Sequence, residues 1–336
     1  MKQIGIIGFG RIGKVHARSI KKFVKGAVVK SICDPMLDDE KIKFADDLGI
    51  HHCFTDYHEI LNDKDIDIVL VCSSTNTHAA ISIEAAQAKK HIFCEKPIDT
   101  EIEKIQAVIK AVEENGVKFQ VGFNRRFDHN FKALHSAVVN NKIGDPHFIS
   151  IVSRDPDAPS LDYVKVSGGM FLDMTIHDFD MARYIVGNEV TEVYTKAAVL
   201  VDPEIGKAGD VDTAIITLTF ANGAIGVIDN SRKAVYGYDQ RVEIFGSKGM
   251  ACADNNYPEN HRYFASDGVH GSLPLNFFME RYLEAYANEM KIFCESVINN
   301  LPLPVSGNDG LMSVAIAMAA KKSYLENRPV ELSEFL

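Results

Sequence analysis

Three stretches of this 336-residue chain put reactive side chains where chemistry can be done. In the first, Phe93-Cys94-Glu95-Lys96-Pro97 ends an apolar, strand-like run with a lysine. A cation where a strand stops is costly without a partner. Pro97 keeps Lys96 out of a strand ladder. Read alone, Glu95 and Lys96 would be a surface pair on a loop. In the second, Gly168-Gly169 precedes an amphipathic stretch running to about Val186. Asp173 and His177 stand four apart in it, so they share one helical face. Such a histidine can take and release a proton near neutral pH, and the aspartate can orient its ring or stabilise its charged form. The same residues also suit a helix-surface ion pair or a satisfied core histidine. No third ligand stands at the usual spacing, so no metal site is expected.

The third stretch is Gly8-Phe9-Gly10-Arg11-Ile12-Gly13, a G-x-G-x-x-G between a strand and a helix. Gly8 permits the tight turn, Gly10 the approach of a pyrophosphate, and Gly13 close helix–strand packing. The pyrophosphate would sit on the helix N-terminus, where free N–H groups favour an anion. Asp34 closes the next strand, placed to accept hydrogen bonds from adenosine ribose hydroxyls. It would repel a 2′-phosphate, and Pro35, Met36 and Leu37 offer no cation to hold one, which favours NAD over NADP. Ser73, Ser74, Thr75, Asn76 and His78 follow a further strand at its C-terminal end, where their polar groups could meet the nicotinamide ribose. Asn76 or Thr77 would also cap the following helix.

The elements that must position these residues are legible in the spacing. Residues 4–7, 28–33, 66–72, 91–94 and 118–121 are short apolar runs without polar alternation, as in a parallel sheet covered on both faces. Amphipathic stretches at about 12–23, 38–48, 77–89 and 100–115 lie between them. The pattern predicts an α/β, doubly wound parallel sheet. Asn115-Gly116 reads as a helix stop. Beyond residue 123 longer strands are expected over 146–154, 190–201, 211–220, 223–231 and 239–246. Ala221-Asn222-Gly223 reads as a hairpin turn. In 213–220, Ala214, Ile216, Leu218 and Phe220 make an apolar face, while Thr213, Ile215, Thr217 and Thr219 make a mostly threonine face. That predicts a large, mostly antiparallel open sheet with one face uncovered. Helices at 275–298 and 309–325 close an α+β second domain. Phe278, Tyr282, Tyr286, Met290 and Phe293 form its core stripe. The domains expected are 1–123 and 124–336.

Lys plus Arg is 36 and Asp plus Glu is 46, a formal net charge of −10. A chain this acidic is a poor nucleic-acid binder. No 18-residue apolar run is present to span a bilayer, and the N-terminus lacks the three-part pattern of a signal peptide. The six cysteines form no C-x-x-C pair and are expected as buried free thiols in a reducing cytoplasm.

The glycine motif, E-K-P after a strand, and D-x-x-x-H after a glycine pair occur in this order in the glucose–fructose oxidoreductase and inositol dehydrogenase family, which the whole chain resembles. Gly122-Phe123-Asn124-Arg125-Arg126-Phe127-Asp128 and Tyr236-Gly237-Tyr238-Asp239-Gln240-Arg241-Val242-Glu243 are most similar to its inositol 2-dehydrogenase branch. The resemblance implies that Lys96, Asp173 and His177 form the catalytic group. It also implies a Rossmann domain followed by an open mixed sheet that builds dimers or tetramers. The activity expected is NAD-dependent oxidation of a cyclic polyol, myo-inositol at C2, with scyllo-inositol or an aldose as alternatives. Asn124, Arg125, Ser153, Arg154, Asp155 and Tyr236, with Asp173 and His177, are expected to meet the substrate hydroxyls. Ser153 stands where some inositol dehydrogenases carry a histidine, and Ser74 where many relatives carry proline. An acidic substrate held by Lys96, Arg125, Arg126 and Arg154 is a second reading, and a catalytically inactive NAD-sensing regulator a third.

Overall fold

The computed structural model describes residues 1–336. They form two compact units, Met1–Phe127 with Glu284–Val314 and Asp128–Leu283 with Ala315–Leu336. The units therefore do not follow a single cut after residue 123.

The first unit alternates strand and helix: β1 (Lys2–Ile7), α1 (Arg11–Phe23), β2 (Ala27–Cys33), α2 (Asp39–Asp47), β3 (His52–Phe54), α3 (His58–Asn62), β4 (Ile68–Val71), α4 (Thr75–Gln87), β5 (His91–Glu95), α5 (Ile102–Asn115) and β6 (Phe119–Gly122). The strand order is β3-β2-β1-β4-β5-β6, with every pairing parallel. This is the doubly wound order whose chain reversal, beside β1 and β4, opens a crevice at the strands' C-terminal ends. The apolar runs fold as strands because both faces are covered: Ile4, Ile6, Ile68, Leu70 and Phe93 are all buried. Gly116 ends α5 in the left-handed region at φ 64°. Neither β3 nor α3 was expected, because the short edge strand His52-Cys53-Phe54 carries no apolar run.

The rest of the chain forms α6 (His129–Val139), β7 (Pro146–Arg154), α7 (Leu161–Val164), α8 (Met170–Asp173), α9 (Ile176–Val186), β8 (Val190–Ala198), α10 (Pro203–Lys207), β9 (Thr213–Phe220), β10 (Ile225–Ser231), β11 (Asp239–Gly246), β12 (Gly249–Ala253), β13 (Arg262–Ala265), β14 (Gly268–Gly271), α11 (Phe278–Arg281), α12 (Leu283–Ile298), α13 (Gly307–Glu326) and β15 (Val330–Glu331). The expected helix over 275–298 is interrupted at Tyr282. Within the first unit, Met290, Phe293, Cys294 and Val297 of α12 pack into the core of β1, β2 and β4.

The second unit's sheet has the order β12-β11-β7-β10-β9-β8-β15, with β7 and β10 parallel and the other pairs antiparallel. Ala214, Ile216, Leu218 and Phe220 are buried, while Ile215 and Thr217 are exposed. The cysteines are all free, but only Cys33, Cys94 and Cys294 are buried; Cys252 is exposed on β12 because its side chain falls on the open face.

Candidate active site

The glycine loop is built as its sequence requires. A Cβ on Gly8, whose φ is 91°, would lie 2.4 Å from the Ser73 nitrogen, and one on Gly13 would lie 2.2 Å from the Gly8 carbonyl oxygen. Gly10, the N-cap of α1, has no neighbour within 4 Å of such an atom. No acidic residue stands in the first turn of α1, and no side chain caps it. Open space before uncapped N–H groups fits the pyrophosphate of a dinucleotide. Phe9 is buried under the loop, whereas Gly10 and Arg11 are exposed and Ile12 half-buried.

Asp34 accepts from the Phe9 backbone nitrogen at 2.9 Å, the Met36 nitrogen at 2.8 Å and Lys41 Nζ at 2.9 Å. Burial would raise its carboxyl, but these donors hold it below the ordinary aspartate value. The expectation that no cation follows Asp34 is thus corrected, because α2 carries Lys41 back to it.

Helix α4 begins at Thr75 with Ser74 as N-cap, so neither Asn76 nor Thr77 caps it. The Ser73 and Thr77 hydroxyls pair at 2.7 Å. His78 is buried, its ring nitrogens 2.8 and 2.9 Å from the carbonyl oxygens of Pro97 and Ser73. It braces two loops rather than facing solvent. Glu95 meets the buried His16 of α1 at 2.7 Å, which fixes the end of β5 against that helix. Lys96, next in the chain, is half-buried. Asn124 and Arg125 lie in a buried 3₁₀ turn, and the Asn124 amide nitrogen is buried with no partner within the chain. Arg126 binds Asp309 at 2.9 Å.

In the second unit Gly168 and Gly169 adopt φ 85° and 84°. A Cβ on Gly169 would come within 2.8 Å of Asp210, whose carboxylate accepts from the Met170 nitrogen and starts α8. The expected continuous helix is broken. The Thr175 nitrogen reaches back five residues to Met170, and the His177 nitrogen only three, to Met174. Asp173 ends α8 and His177 lies in the first turn of α9, so they occupy two helices instead of one face. Both remain half-buried. Asn230 of β10 secures this junction, accepting from the Thr175 hydroxyl at 2.6 Å and donating to Asp178 at 3.0 Å.

Asp173 accepts from the Tyr163 hydroxyl at 2.8 Å and from Arg232 Nη1 at 3.2 Å. Arg232, 3% exposed, also lies 3.5 Å from Asp155. Burial would lower its guanidinium pKa, but Asp173 and Asp155 raise it. Arg232 and Tyr163 were missed by the sequence reading; a cation just after a strand, as at Lys96, was the available signal for Arg232.

Strand alternation separates the residues at the end of β7. Ser153 is fully buried on the side of Asn230, its hydroxyl exchanging hydrogen bonds with Gln240. It supports the sheet and has no surface to offer a substrate. Arg154 points to the opposite, open face, where it binds Asp229 and, at 3.0 Å, the Tyr236 hydroxyl. Tyr236 in turn donates to Asp239 at 2.6 Å. Arg154 and Tyr236 are therefore engaged with each other and with carboxylates.

A parallel sheet of this order, a glycine-bounded helix N-terminus and a ribose-type aspartate define a dinucleotide-dependent oxidoreductase. The chain belongs to the GFO/IDH/MocA family: residues 2–123 match its oxidoreductase domain with an NAD-binding Rossmann fold, and residues 131–252 match its C-terminal domain. Its cofactor is NAD. The chain is 51% identical to a myo-inositol 2-dehydrogenase of Thermotoga maritima, covering 99% of each. Among solved structures, a myo-inositol dehydrogenase from Corynebacterium glutamicum is 36% identical, with a TM-score of 0.94 and 99% of each chain covered. A scyllo-inositol dehydrogenase from Lactobacillus casei, solved with NAD(H) and scyllo-inositol, is 30% identical, with a TM-score of 0.92 and 99% of each chain covered.

Proposed function

We propose that the protein is an inositol 2-dehydrogenase that oxidises myo-inositol at C2 to the 2-keto compound. The observation that carries this reading is full-length similarity to inositol dehydrogenases with Lys96, Asp173 and His177 all in place. NAD, when bound, supplies the hydride acceptor. His177 takes the hydroxyl proton at its ring nitrogen. Lys96 donates a hydrogen bond to the same substrate oxygen and steadies its developing negative charge. Asp173 is assigned to orient one of these two partners, its own carboxylate held by Tyr163 and Arg232. Gly8–Gly13 cradle the pyrophosphate, Asp34 takes a ribose hydroxyl, and Ser73–Asn76 with Glu95 border the nicotinamide side. Asn124, Arg125 and Asp155 supply hydrogen bonds to substrate hydroxyls.

An acidic substrate is disfavoured, since Arg126 and Arg154 already have carboxylate partners. Residues 124–336 are read as contributing the substrate-binding and oligomerising parts, the uncovered sheet face pairing with a second copy in a homotetramer. The working compartment is the cytoplasm, in inositol catabolism; no helix is long and apolar enough to cross a membrane. The test is absorbance at 340 nm with NAD and a panel of myo-inositol, scyllo-inositol, aldoses and hydroxy acids. Turnover greatest with myo-inositol is expected, and a preference for a hydroxy acid, or no turnover at all, would remove the reading.

A further inference from the structure

The carboxylate at the end of β2 comes with a cation the local sequence does not announce. An ionised aspartate offers about four acceptor sites. Phe9, Met36 and Lys41 occupy three of them on Asp34, the single one on Oδ2 belonging to Phe9. One site, on Oδ2, is left for a ribose hydroxyl. Lys41 Nζ has three N–H groups. One goes to Asp34 and one to the Met36 carbonyl oxygen at 2.6 Å. The third is left over. The lysine's backbone is itself fixed, since Asp38 caps α2 by accepting from the Lys41 nitrogen at 2.8 Å. Its side chain is only 16% exposed and that of Asp34 10%. Acceptor and donor thus sit side by side, Asp34 just after β2 and Lys41 in the first turn of α2, partly withdrawn from water.

We propose that Lys41 is a determinant of cofactor choice: it donates to the ribose 2′-oxygen beside Asp34, and it forms a latent 2′-phosphate site that the Asp34 charge masks. The inference rests on the reading that Asp34 lies at the adenosine ribose. With both residues present their charges cancel, and a phosphate dianion gains nothing from the pair while meeting the carboxylate. Without Asp34 the ammonium is uncompensated, and a 2′-phosphate is the ligand that replaces the lost carboxylate. Two nearby cations already have contacts of their own. Lys14 is paired with Glu40 at 2.8 Å, and the Arg18 guanidinium lies 4.5 Å from the centre of the Phe44 ring.

The test uses the full-length wild type, Lys41→Met, Lys41→Arg, Asp34→Ser and the double variant Asp34→Ser/Lys41→Met. Circular dichroism and melting temperature establish that each folds. Isothermal titration measures binding of NAD, NADP, 5′-AMP and adenosine 2′,5′-bisphosphate, and kcat/KM is measured with both cofactors. Asp34→Ser should gain about tenfold or more in affinity for adenosine 2′,5′-bisphosphate over 5′-AMP, the scale of a charge-assisted hydrogen bond. The double variant should lose that gain, Lys41→Met alone should weaken NAD binding several-fold, and Lys41→Arg should retain discrimination. If the double variant keeps the gain, or if Lys41→Met binds all four ligands as the wild type does, the inference is wrong while the cofactor site stands. If folded Asp34→Ser shifts no affinity at all, the ribose assignment of Asp34 fails first, and the inference falls with it.

Discussion

At the scale of single residues, His177 sits in the first turn of a helix that is tied to Asn230 through Thr175 and Asp178. It belongs to a different unit from the glycine loop. His177→Ala should therefore leave NAD affinity nearly intact while lowering kcat by about 10²–10⁴, the range for a positioned general base. Lys96→Ala should lower kcat too, and the losses should not add, because the proposed mechanism assigns both residues to one proton transfer. Stopped-flow kcat, NAD titration and melting temperature on the same His177→Ala preparation decide the matter. Normal turnover with a lower melting temperature would make His177 a structural residue.

At the scale of elements, the glycine pair before α8 places Asp173. Gly169 combines a left-handed φ of 84° with a Cβ position 2.8 Å from Asp210. Gly169→Ala should destabilise by about 1–3 kcal/mol through backbone strain and displacement of the Asp210 cap. Because α8 would start differently, kcat should fall as well; a melting-temperature loss with kcat preserved would show that α8 does not set the carboxylate.

A second prediction at this scale concerns Asp212, which accepts from the backbone nitrogens of Leu200, Val201 and Asp202 and is fully buried. Burial would raise its pKa, but these donors, with the Thr213 hydroxyl, bring it below the ordinary value. A depressed folded-state pKa means that its stabilisation is fully present above the unfolded value near 4 and is lost as pH falls through the folded value. Asp212→Asn should cost about 1–3 kcal/mol at neutral pH and flatten the fall in melting temperature below about pH 4. An unchanged acid profile in scanning calorimetry would contradict this.

At the scale of the whole molecule, the sheet of the second unit leaves Ile215, Ile225, Phe245 and Met250 between 45% and 53% exposed. Cross-strand register puts Ile225 opposite Thr219, with Phe148 on its other side, and Phe245 opposite Met250, so these side chains share the face bearing Thr217. A broad apolar face of this kind is expected to close on a copy of itself. Sedimentation should show a homo-oligomer, a tetramer, at micromolar concentration. A lone 37.2 kDa species would refute it. Ile215→Asp should shift the population toward smaller species.

Period and punctuation alone determined the doubly wound sheet, the glycine loop, the Asn-Gly hairpin and the two-faced β9, because covalent geometry fixes which face a residue takes within one element. They could not determine β3, whose three residues take their place from edge pairing with β2. Nor could they show that Asp173 and His177 lie on two helices, since the break is set by hydrogen bonds at Met170 and Met174 and by Asn230 from a distant strand. Arg154 illustrates the same limit: its type suggested a substrate contact, but its parity along β7 sends it to the open face. Lys41, Tyr163, Arg232 and Asp210 reach their partners across turns of chain whose closure depends on burial and long-range pairing. Residue types and spacing named the reactive groups; only the tertiary structure decided which donors hold each carboxylate, because those donors come from other elements.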